Sequence, residues 1–305
     1  MSPVLASISN VSRTAETLRK ADYRSYLPAV EQLERQGFAI IKVDSAILAE
    51  VEAVQDLAQA FFAEPGAVKH AYASPSCVEG YREIGPEYSL VPERPDLTES
   101  FSFWYRNRHR PEMEAWHSSC PLHTALHNTA DTLCTVVDAL FTAMAETWSP
   151  GAPRLGFQEA SYIQINYYEP AQHSRELLQD PHEDGHLITL VWATEPGLEI
   201  KVDGQFIPVE LAKNEMLIMP SSILSLMSGN RVPPLYHQVR NSRRDVPRYS
   251  LMFFVNPEIT QKLEPWIRND SNAGIDIIEQ ANSAPNKFGL PTLVDGAAGQ
   301  GKTYG

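Results

Sequence analysis

The segment Pro181-His182-Glu183-Asp184-Gly185-His186 decides how this chain folds and what it can bind. A proline precedes the first histidine, a glycine interrupts the segment, and the apolar, β-rich run 187–192 follows it. These features favour an extended strand. Since the side chains of a strand alternate between its two faces, we expect His182 and Asp184 on the same face, where both can bind one metal ion.

The same segment also matches His-Glu-x-x-His, the zinc-protease pattern, in which His182 and His186 would lie one helical turn apart. That pattern requires a helix. Pro181 before the segment, Gly185 inside it and the β-rich run after it all disfavour a helix. The zinc interpretation is therefore the weaker of the two.

A second histidine, His237, stands in the distant β-rich run 235–239. Two histidines and one carboxylate form the facial triad of non-haem iron(II) oxygenases, which leaves the other coordination positions open for ligands. The sequence therefore predicts a metal site made of His182, Asp184 and His237. It predicts no catalytic residue beyond these ligands.

Arg248-Tyr249-Ser250 follows shortly after His237 and opens the apolar run 251–255. Arg248 and Ser250 share a face if this run is a strand. A guanidinium can hold a carboxylate through two parallel charge-assisted bonds, and a serine hydroxyl can add a third. The pattern predicts an inward-facing arginine that binds a carboxylate.

The rest of the chain changes character near its middle. Its first half predicts helices over 13–35, 45–62 and 122–148, with one short strand over 37–43. Its second half predicts short strands separated by turn signals, over 162–168, 187–192, 198–202, 216–219 and 249–255. Short, regularly spaced strands preceded by helices indicate a β-sandwich or jelly roll packed against helices.

Composition excludes several classes of protein. The 305 residues contain 38 acidic and 25 basic side chains, a formal net charge of −13, which argues against nucleic acid as the main partner. No run approaches the length of a membrane helix, so we expect no membrane partner. Three scattered cysteines predict no disulfide framework and favour the reducing cytoplasm. No pattern sets the oligomeric state.

Taken together, the motifs resemble the isopenicillin N synthase-like branch of the iron(II)/2-oxoglutarate dioxygenases. The resemblance extends over about 30–260. The motifs that carry it are Gln36-Gly37-Phe38, Gly80-Tyr81, Asn166-Tyr167-Tyr168, His182-Glu183-Asp184, Thr189, Gly197-Leu198, His237-Gln238-Val239, Arg248-Tyr249-Ser250 and Phe254-Val255-Asn256-Pro257. The chain departs from the family at Pro220-Ser221, where a Gly-Asp pair is usual, and at His186, which replaces a small residue.

The resemblance implies an α+β, mainly β fold, a distorted double-stranded β-helix (jelly roll) with N-terminal helices packed on it. It implies Fe(II) on the triad, and 2-oxoglutarate and O2 as co-substrates. Arg248 and Ser250 would bind the far carboxylate of 2-oxoglutarate, with Asn166 and Tyr168 closing that pocket. Gln164, Phe254, Asn256 and Phe103 would line the substrate side.

The function implied is oxidation of an unactivated C–H bond of a small-molecule metabolite by hydroxylation, desaturation or cyclisation, in specialised-metabolite (natural product) biosynthesis. Two alternatives stay open. In an oxidase of the isopenicillin N synthase type, Arg248 and Ser250 would hold the substrate's own carboxylate and 2-oxoglutarate would not be used. In a non-catalytic jelly-roll protein, the metal site would serve binding alone.

The expected organisation has three parts. Residues 1–150 form an N-terminal helical region with the first strand, as part of the same domain. Residues 151–260 form the jelly-roll catalytic core, and residues 261–305 form a C-terminal lid or tail. Tyr88 and the segment from Pro265 onward are expected to cover the pocket.

Overall fold

The computed structural model describes residues 22–74, 79–170, 175–241, 245–259 and 263–284. The helices are α1 Leu27–Gln36, α2 Ser45–Phe62, α3 Gly66–His70, α4 Pro111–Ser119, α5 Pro121–Trp148, α6 Ser222–Met227 and α7 Ile277–Ser283. The strands are β1 Ala39–Lys42, β2 Gly80–Arg82, β3 Glu99–Trp104, β4 Tyr162–Tyr168, β5 Leu177–His182, β6 Ile188–Ala193, β7 Leu198–Val202, β8 Gln205–Pro208, β9 Glu215–Pro220, β10 His237–Arg240 and β11 Arg248–Val255.

The strands form two antiparallel sheets, one with the order β1-β9-β6-β11-β4-β3-β2 and one with the order β5-β10-β7-β8. From β4 onward the chain crosses repeatedly between them. β4, β6, β9 and β11 belong to the large sheet, whereas β5, β7, β8 and β10 belong to the small one. This alternation winds the chain into two facing layers, which is the arrangement of a jelly roll.

The large sheet separates the main hydrophobic core from the space between the sheets. Along β4, Ile163 and Ile165 belong to the core shared with α2 and α5. Tyr162, Gln164 and Asn166 alternate with them and line a cavity. The period-two pattern of one strand therefore supplies both the core and the site.

The predicted helices and strands occur, with shifted ends. The 45–62 helix is confirmed, but its cap is Asp44, not Ser45, because the Asp44 carboxylate accepts hydrogen bonds from the backbone of Ala46 and Ile47. Of the predicted helix 13–35, residues 13–21 lie outside the described part. Its remainder is a 3-10 turn, Tyr23–Tyr26, followed by α1.

The expected three-part organisation remains a prediction. Three strands from the N-terminal region, β1, β2 and β3, belong to the same sheet as the strands of the second half. Residues 285–305 of the expected lid or tail lie outside the described residues. None of the helices in the described ranges is long and apolar enough to cross a membrane.

Gly80 is required where β2 begins. Its φ is +72°, and a Cβ atom there would lie 2.0 Å from the carbonyl oxygen of Tyr72 and 2.5 Å from the ring of Trp116. We expect Gly80→Ala to lower the free energy of unfolding by about 2–5 kcal/mol, from left-handed strain plus overpacking. Gly204→Ala is the matched control in urea unfolding, because φ is +81° but nothing lies within 4 Å of its Cβ position. Equal losses in the two variants would contradict the packing argument.

Candidate metal centre and cavity

Two neighbouring strands of the small sheet bring the two predicted histidines together. His182 ends β5, His237 begins β10, and the two residues face each other in the antiparallel register. Their ring centroids are 4.3 Å apart. Pairing of β5 with β10 thus brings together two histidines that lie more than fifty positions apart in the sequence.

Asp184 reaches the same point in a different way from the one expected. The strand ends at His182, and Asp184 lies in the turn that follows, so strand alternation does not place it. At Gly185 φ is +72°, and a Cβ there would lie 2.8 Å from Cβ of Ala284. From this turn the Asp184 carboxylate lies beside the two imidazoles.

The three side chains form a compact cluster that could hold a metal ion, with all ligand atoms within 4.8 Å of one another. Oδ1 of Asp184 lies 3.5 Å from Nε2 of His182 and 3.5 Å from Nε2 of His237. The side chains of His182, Asp184 and His237 are only 10%, 7% and 7% exposed. Buried groups so close together need either a shared proton or a shared cation.

Backbone carbonyls orient both imidazoles. Nδ1 of His182 lies 2.7 Å from the carbonyl oxygen of Asp180, and Nδ1 of His237 lies 3.4 Å from that of Leu235. A carbonyl only accepts, so each Nδ1 carries the proton and each Nε2 presents its lone pair to the cluster. Thr189 donates to the other Asp184 oxygen, Oδ2, over 2.5 Å. These outer hydrogen bonds are those that position metal ligands.

Electrostatics keeps Asp184 ionised and His237 neutral, the forms that bind a metal, whereas it favours the protonated form of His182 while no cation is bound. Burial raises the pKa of Asp184, but His237 and His182 outweigh it and hold that pKa below its usual range. Burial lowers the pKa of His237 to about 4, although Asp184 opposes the change. For His182 burial lowers the pKa, and the Asp184 carboxylate more than compensates. A carboxylate with two imidazoles is a donor set suited to Fe(II).

The zinc-protease interpretation is excluded by the local structure. His182 ends a strand and is followed by a turn, so His182 and His186 are not on a helix. His186 lies outside the metal cluster formed by the described residues. Its Nδ1 lies 2.8 Å from Oδ1 of Asn256, and its Nε2 lies 3.4 Å from the Tyr162 hydroxyl.

The predicted carboxylate-binding pair is buried and internally paired. Arg248 is 4% exposed and donates from Nη1 to Oγ of Ser250, and from Nε to the carbonyl oxygen of Glu195 over 3.1 Å. Its guanidinium lies 5.0 Å above the ring centre of Tyr168. Burial lowers the pKa of Arg248, while the neighbouring Tyr168 oxygen opposes the change. Arg248 is thus buried, as expected, but it is not among the described residues that line the cavity, and its role in carboxylate binding stays a prediction.

Strand pairing assembles the remaining predicted co-substrate residues around this pair. In the β11–β4 register Arg248 lies opposite Tyr168, and Ser250 lies opposite Asn166. Asn166 donates from Nδ2 to the Tyr168 hydroxyl over 3.3 Å. All four side chains therefore belong to one patch on the inner face of the large sheet.

A cavity of about 470 Å3, counting the solvent at its mouth, lies beside the metal cluster. It has a polar side and an apolar side. The polar lining includes Glu87, Ser89, Asp96, Gln164, Asn166 and Gln179. The apolar and aromatic lining includes Tyr88, Tyr162, Met219, Met252 and Phe254. The predicted positions Gln164, Phe254 and Tyr88 are thus at the cavity.

Two predicted substrate residues are not among those that line the cavity. Phe103 points to the opposite face of β3, where its ring stacks on His127 of α5 at 4.6 Å. Strand alternation explains this, since Ser102 and Trp104 take the inward positions. Asn256 is fully buried behind His186, and its Nδ2 donates to the carbonyl oxygen of Ala160. Asn256 therefore positions a residue of the cavity wall.

Three polar residues of the site were missed from the sequence. Arg82, Asp96 and Gln179 are buried, and hydrogen bonds connect them to Gln164 and Tyr168. Burial and the Glu87 carboxylate raise the pKa of Asp96 to about 6. The sequence offered only an indirect signal for these residues. The side-chain amides of Gln164 and Asn166 on β4 require polar partners once they are buried.

Comparison with known proteins agrees with this geometry. Residues 160–257 match the family model of the 2OG-Fe(II) oxygenase superfamily. The matched segment contains the whole metal cluster and the Arg248–Ser250 pair. The predicted resemblance to iron(II)/2-oxoglutarate dioxygenases is thereby confirmed at the level of this superfamily and over residues 160–257, and iron(II), 2-oxoglutarate and dioxygen are the cofactors of that superfamily.

Curated relatives match a limited part of the chain. Gibberellin 20 oxidase 2 of Oryza sativa subsp. indica is 32% identical over 109 residues, which are 35% of this chain and 28% of the relative. A 2-oxoglutarate-dependent dioxygenase, AOP3 of Arabidopsis thaliana, is 31% identical over 85 residues, 27% of this chain and 21% of the relative. The matches thus span 28% and 21% of these relatives.

Solved structures resemble most of the chain. A protein from Caulobacter crescentus assigned to the 2OG-Fe(II) oxygenase family has a TM-score of 0.70 and 24% identity, covering 85% of this chain and 92% of its own. A full-length Neurospora crassa protein, solved in complex with alpha-KG and 5-formyluracil, has a TM-score of 0.67 and 17% identity, covering 85% of this chain and 90% of its own. These similarities confirm the predicted jelly-roll fold.

Proposed function

We propose that this chain is a non-haem iron(II) and 2-oxoglutarate-dependent dioxygenase that oxidises an unactivated C–H bond of a small-molecule metabolite. One observation carries the proposal. A buried His-Asp-His cluster lies at a cavity whose inner wall adjoins a buried arginine–serine pair. A metal site and an anion site side by side suit a co-substrate that chelates metal at one end and carries a carboxylate at the other.

His182, Asp184 and His237 would hold the iron. When bound, iron(II) supplies the oxygen activation that drives the cleavage of the C–H bond. Asp184 contributes the one negative charge among the ligands, and Thr189 fixes its second oxygen so that Oδ1 faces the imidazoles. The hydrogen bonds from both Nδ1 atoms to carbonyl groups prevent the rings from turning away.

Arg248 and Ser250 would bind the far carboxylate of 2-oxoglutarate, with Asn166 and Tyr168 beside them. In the described structure Arg248 satisfies one of its donors with Ser250. A carboxylate that arrives there would gain charge-assisted bonds in a buried site. The same pair would bind a substrate carboxylate in an oxidase that does not use 2-oxoglutarate.

The substrate would occupy the cavity between Gln164 and Phe254. Tyr162 stacks on Trp104 at 4.0 Å and on Phe254 at 4.6 Å, so this wall is built from a stack of aromatic rings. Gln164 and Asn166 offer hydrogen bonds on the other side. The mixed polar and apolar lining of this cavity suits a small metabolite, and we place the chain in specialised-metabolite biosynthesis, as the named plant relatives support.

Cysteine chemistry supports the expectation of a reducing compartment. Cys120 and Cys134 are free and buried. Burial raises the pKa of Cys134 to about 12, which keeps its thiol protonated and unreactive. Such thiols persist in the cytoplasm, where we propose that the chain acts.

Succinate formation tests the proposed activity. The iron-loaded protein is incubated with 2-oxoglutarate and oxygen, with and without candidate substrates, and succinate is measured. Succinate that depends on both iron and 2-oxoglutarate supports the proposal. Oxygen consumption that requires substrate but no 2-oxoglutarate would support the oxidase alternative, and an inert iron-loaded protein would support a binding protein.

His186 provides a test that separates two metal chemistries. We expect His186→Ala to weaken iron binding by no more than about 10–100-fold, the range for a residue outside the ligand set. Its Nδ1 is engaged by Asn256, and it does not belong to the cluster. Metal content after equilibrium dialysis against Fe(II) measures the effect. If His186→Ala lost the metal while Asp184→Ala kept it, the ligand assignment would be wrong.

A further inference from the structure

Six buried side chains form one continuous chain of hydrogen bonds along the polar side of the cavity. It begins on β2, follows the inner face of β4, crosses to β5 and ends in the loop before β3. In order, its members are Arg82, Gln164, Asn166, Tyr168, Gln179 and Asp96. After the contact of Arg82 with Gln164, the four successive distances are 2.8, 3.3, 2.8 and 3.1 Å. The family resemblance gives Asp96 and Gln179 no role.

The two charged ends fix the direction of every bond. A guanidinium only donates, so Arg82 turns Oε1 of Gln164 toward itself and Nε2 toward Asn166. At the other end Asp96 accepts from Nε2 of Gln179, which turns Oε1 of Gln179 toward Tyr168. Each amide between the charged ends has therefore a single satisfactory orientation.

This arrangement commits the only proton of the Tyr168 hydroxyl. Tyr168 accepts from Nδ2 of Asn166 and must therefore donate to Oε1 of Gln179. A carboxylate can bind the hydroxyl only by taking that same proton. With its proton donated to Gln179 and its oxygen accepting from Asn166, the Tyr168 hydroxyl has no proton left to donate to a carboxylate.

The chain also lies between the cavity and the arginine. Asn166 and Gln179 line the cavity, whereas Arg248, Ser250 and Tyr168 are not among the described residues that do so. Arg248 stands over the face of the Tyr168 ring. A carboxylate that approaches Arg248 from the cavity therefore meets the Asn166–Tyr168–Gln179 bonds first.

We propose that Asp96 and Gln179 are positioning residues that restrain co-substrate binding by holding the Tyr168 proton away from the incoming carboxylate. This inference rests on the proposed function. It also ties the co-substrate site to the loop over residues 83–98, because Asp96 accepts from the backbone N–H and the hydroxyl of Ser89 at 3.1 and 2.8 Å. The Asp96 carboxylate thus holds the loop together through Ser89 and orients the Tyr168 hydroxyl through Gln179.

Asp96→Asn tests whether Asp96 restrains co-substrate binding, because the asparagine side chain has almost the same shape as the aspartate side chain. The Ser89 N–H can only donate, so Oδ1 of the new asparagine must stay on it. The new amide nitrogen then faces Gln179, whose side chain must turn to present its oxygen there and its Nε2 to Tyr168. The Tyr168 proton becomes available to a carboxylate. We expect the dissociation constant of 2-oxoglutarate to fall about tenfold. The variant gains a charge-assisted hydrogen bond from the Tyr168 hydroxyl to the carboxylate and loses the weaker neutral one from that hydroxyl to Gln179.

Gln179→Met is the second variant, since it removes the acceptor and keeps the length of the side chain. Gln32→Met is its control, because Gln32 accepts a backbone hydrogen bond from Ile40 far from the cavity. The dissociation constants are measured anaerobically on the Fe(II) protein from the visible absorption of the 2-oxoglutarate chelate. Both site variants are also made in a Tyr168→Phe background.

We expect Asp96→Asn and Gln179→Met to bind 2-oxoglutarate more tightly than the wild-type protein, and Gln32→Met to bind it with wild-type affinity. In the Tyr168→Phe background, which lacks the hydroxyl, we expect each site variant to match Tyr168→Phe alone to within about twofold. Unchanged or weaker binding in both site variants would overturn the inference, as would a gain that persists without the hydroxyl. If the wild-type protein binds no 2-oxoglutarate, the proposed function itself fails, which is a distinguishable result.

Discussion

Alanine at His182, Asp184 or His237 is expected to abolish iron binding and oxygenase activity in each case. The three side chains are the cluster that could supply ligands to one ion, with all ligand atoms within 4.8 Å. Loss of a residue that only supports a ligand weakens metal binding by about 10–100-fold, so loss of a ligand must cost more. We therefore expect iron affinity to fall by more than about 100-fold and activity to reach background.

Iron content after dialysis and succinate formation measure this effect together. His70→Ala is the control, because His70 is half-exposed and pairs with Glu83 far from the cluster. Unfolding by urea must remain cooperative in all variants, so that loss of iron is not loss of fold. Full iron content in any one of the three variants would show that the ligand set is different.

Arg248→Ala is expected to weaken 2-oxoglutarate binding by orders of magnitude while leaving the iron site intact. Arg248 is buried, and removal of one partner from a buried charge pair costs about 3–5 kcal/mol. That cost corresponds to a dissociation constant raised by roughly two to three and a half powers of ten. Arg248→Lys should recover only part of the loss, because an ammonium cannot make two parallel bonds.

Ser250→Ala should cost less, about 1.5–3 kcal/mol, the value of one hydrogen bond to a charged group. Arg240→Ala is the control, since Arg240 lies on the neighbouring sheet, is partly exposed, and pairs with the exposed Glu176 and the buried Glu199. Isothermal titration of the iron-loaded protein with 2-oxoglutarate gives the dissociation constants of the four variants, Arg248→Ala, Arg248→Lys, Ser250→Ala and Arg240→Ala. An Arg248→Ala variant with wild-type affinity would remove Arg248 from the co-substrate site.

The fold could be predicted where the hydrophobic pattern was long or strictly periodic. The amphipathic run that became α2 and the alternating run that became β4 are both in place. Some of the shorter strands could not be predicted from the sequence. β5 contains Gln179, Asp180 and a proline, and it forms because β10 pairs with it, which no local pattern reveals. β8 is likewise four residues of mixed polarity that pair only with β7.

The metal ligands could be predicted for a reason that was partly wrong. Strand alternation was expected to place His182 and Asp184 on one face, but β5 ends at His182 and Asp184 lies in the turn that follows. The spacing of the motif was right because a strand end followed by a turn satisfies it equally well. Spacing alone does not distinguish these two backbones.

The outer residues of the site could not be predicted, because they act through tertiary contacts. Phe103 belongs to a strand whose two faces both carry aromatic rings, so its sequence does not show which face turns inward. Asp96 and Gln179 meet only when the loop before β3 packs beside β5. Their importance follows from the burial of Tyr168, which requires a partner for its hydroxyl.

Anaerobic titration of the Fe(II) protein with 2-oxoglutarate tests whether the two halves of the site serve one ligand. The visible charge-transfer band of the chelate reports the metal end, and its loss in Arg248→Ala at the same concentration reports the carboxylate end. We predict a saturable band in the wild-type protein, a band shifted to far higher concentration in Arg248→Ala, and no band in Asp184→Ala. A wild-type protein without the band, which consumes oxygen with substrate in the absence of 2-oxoglutarate, would contradict the proposed function.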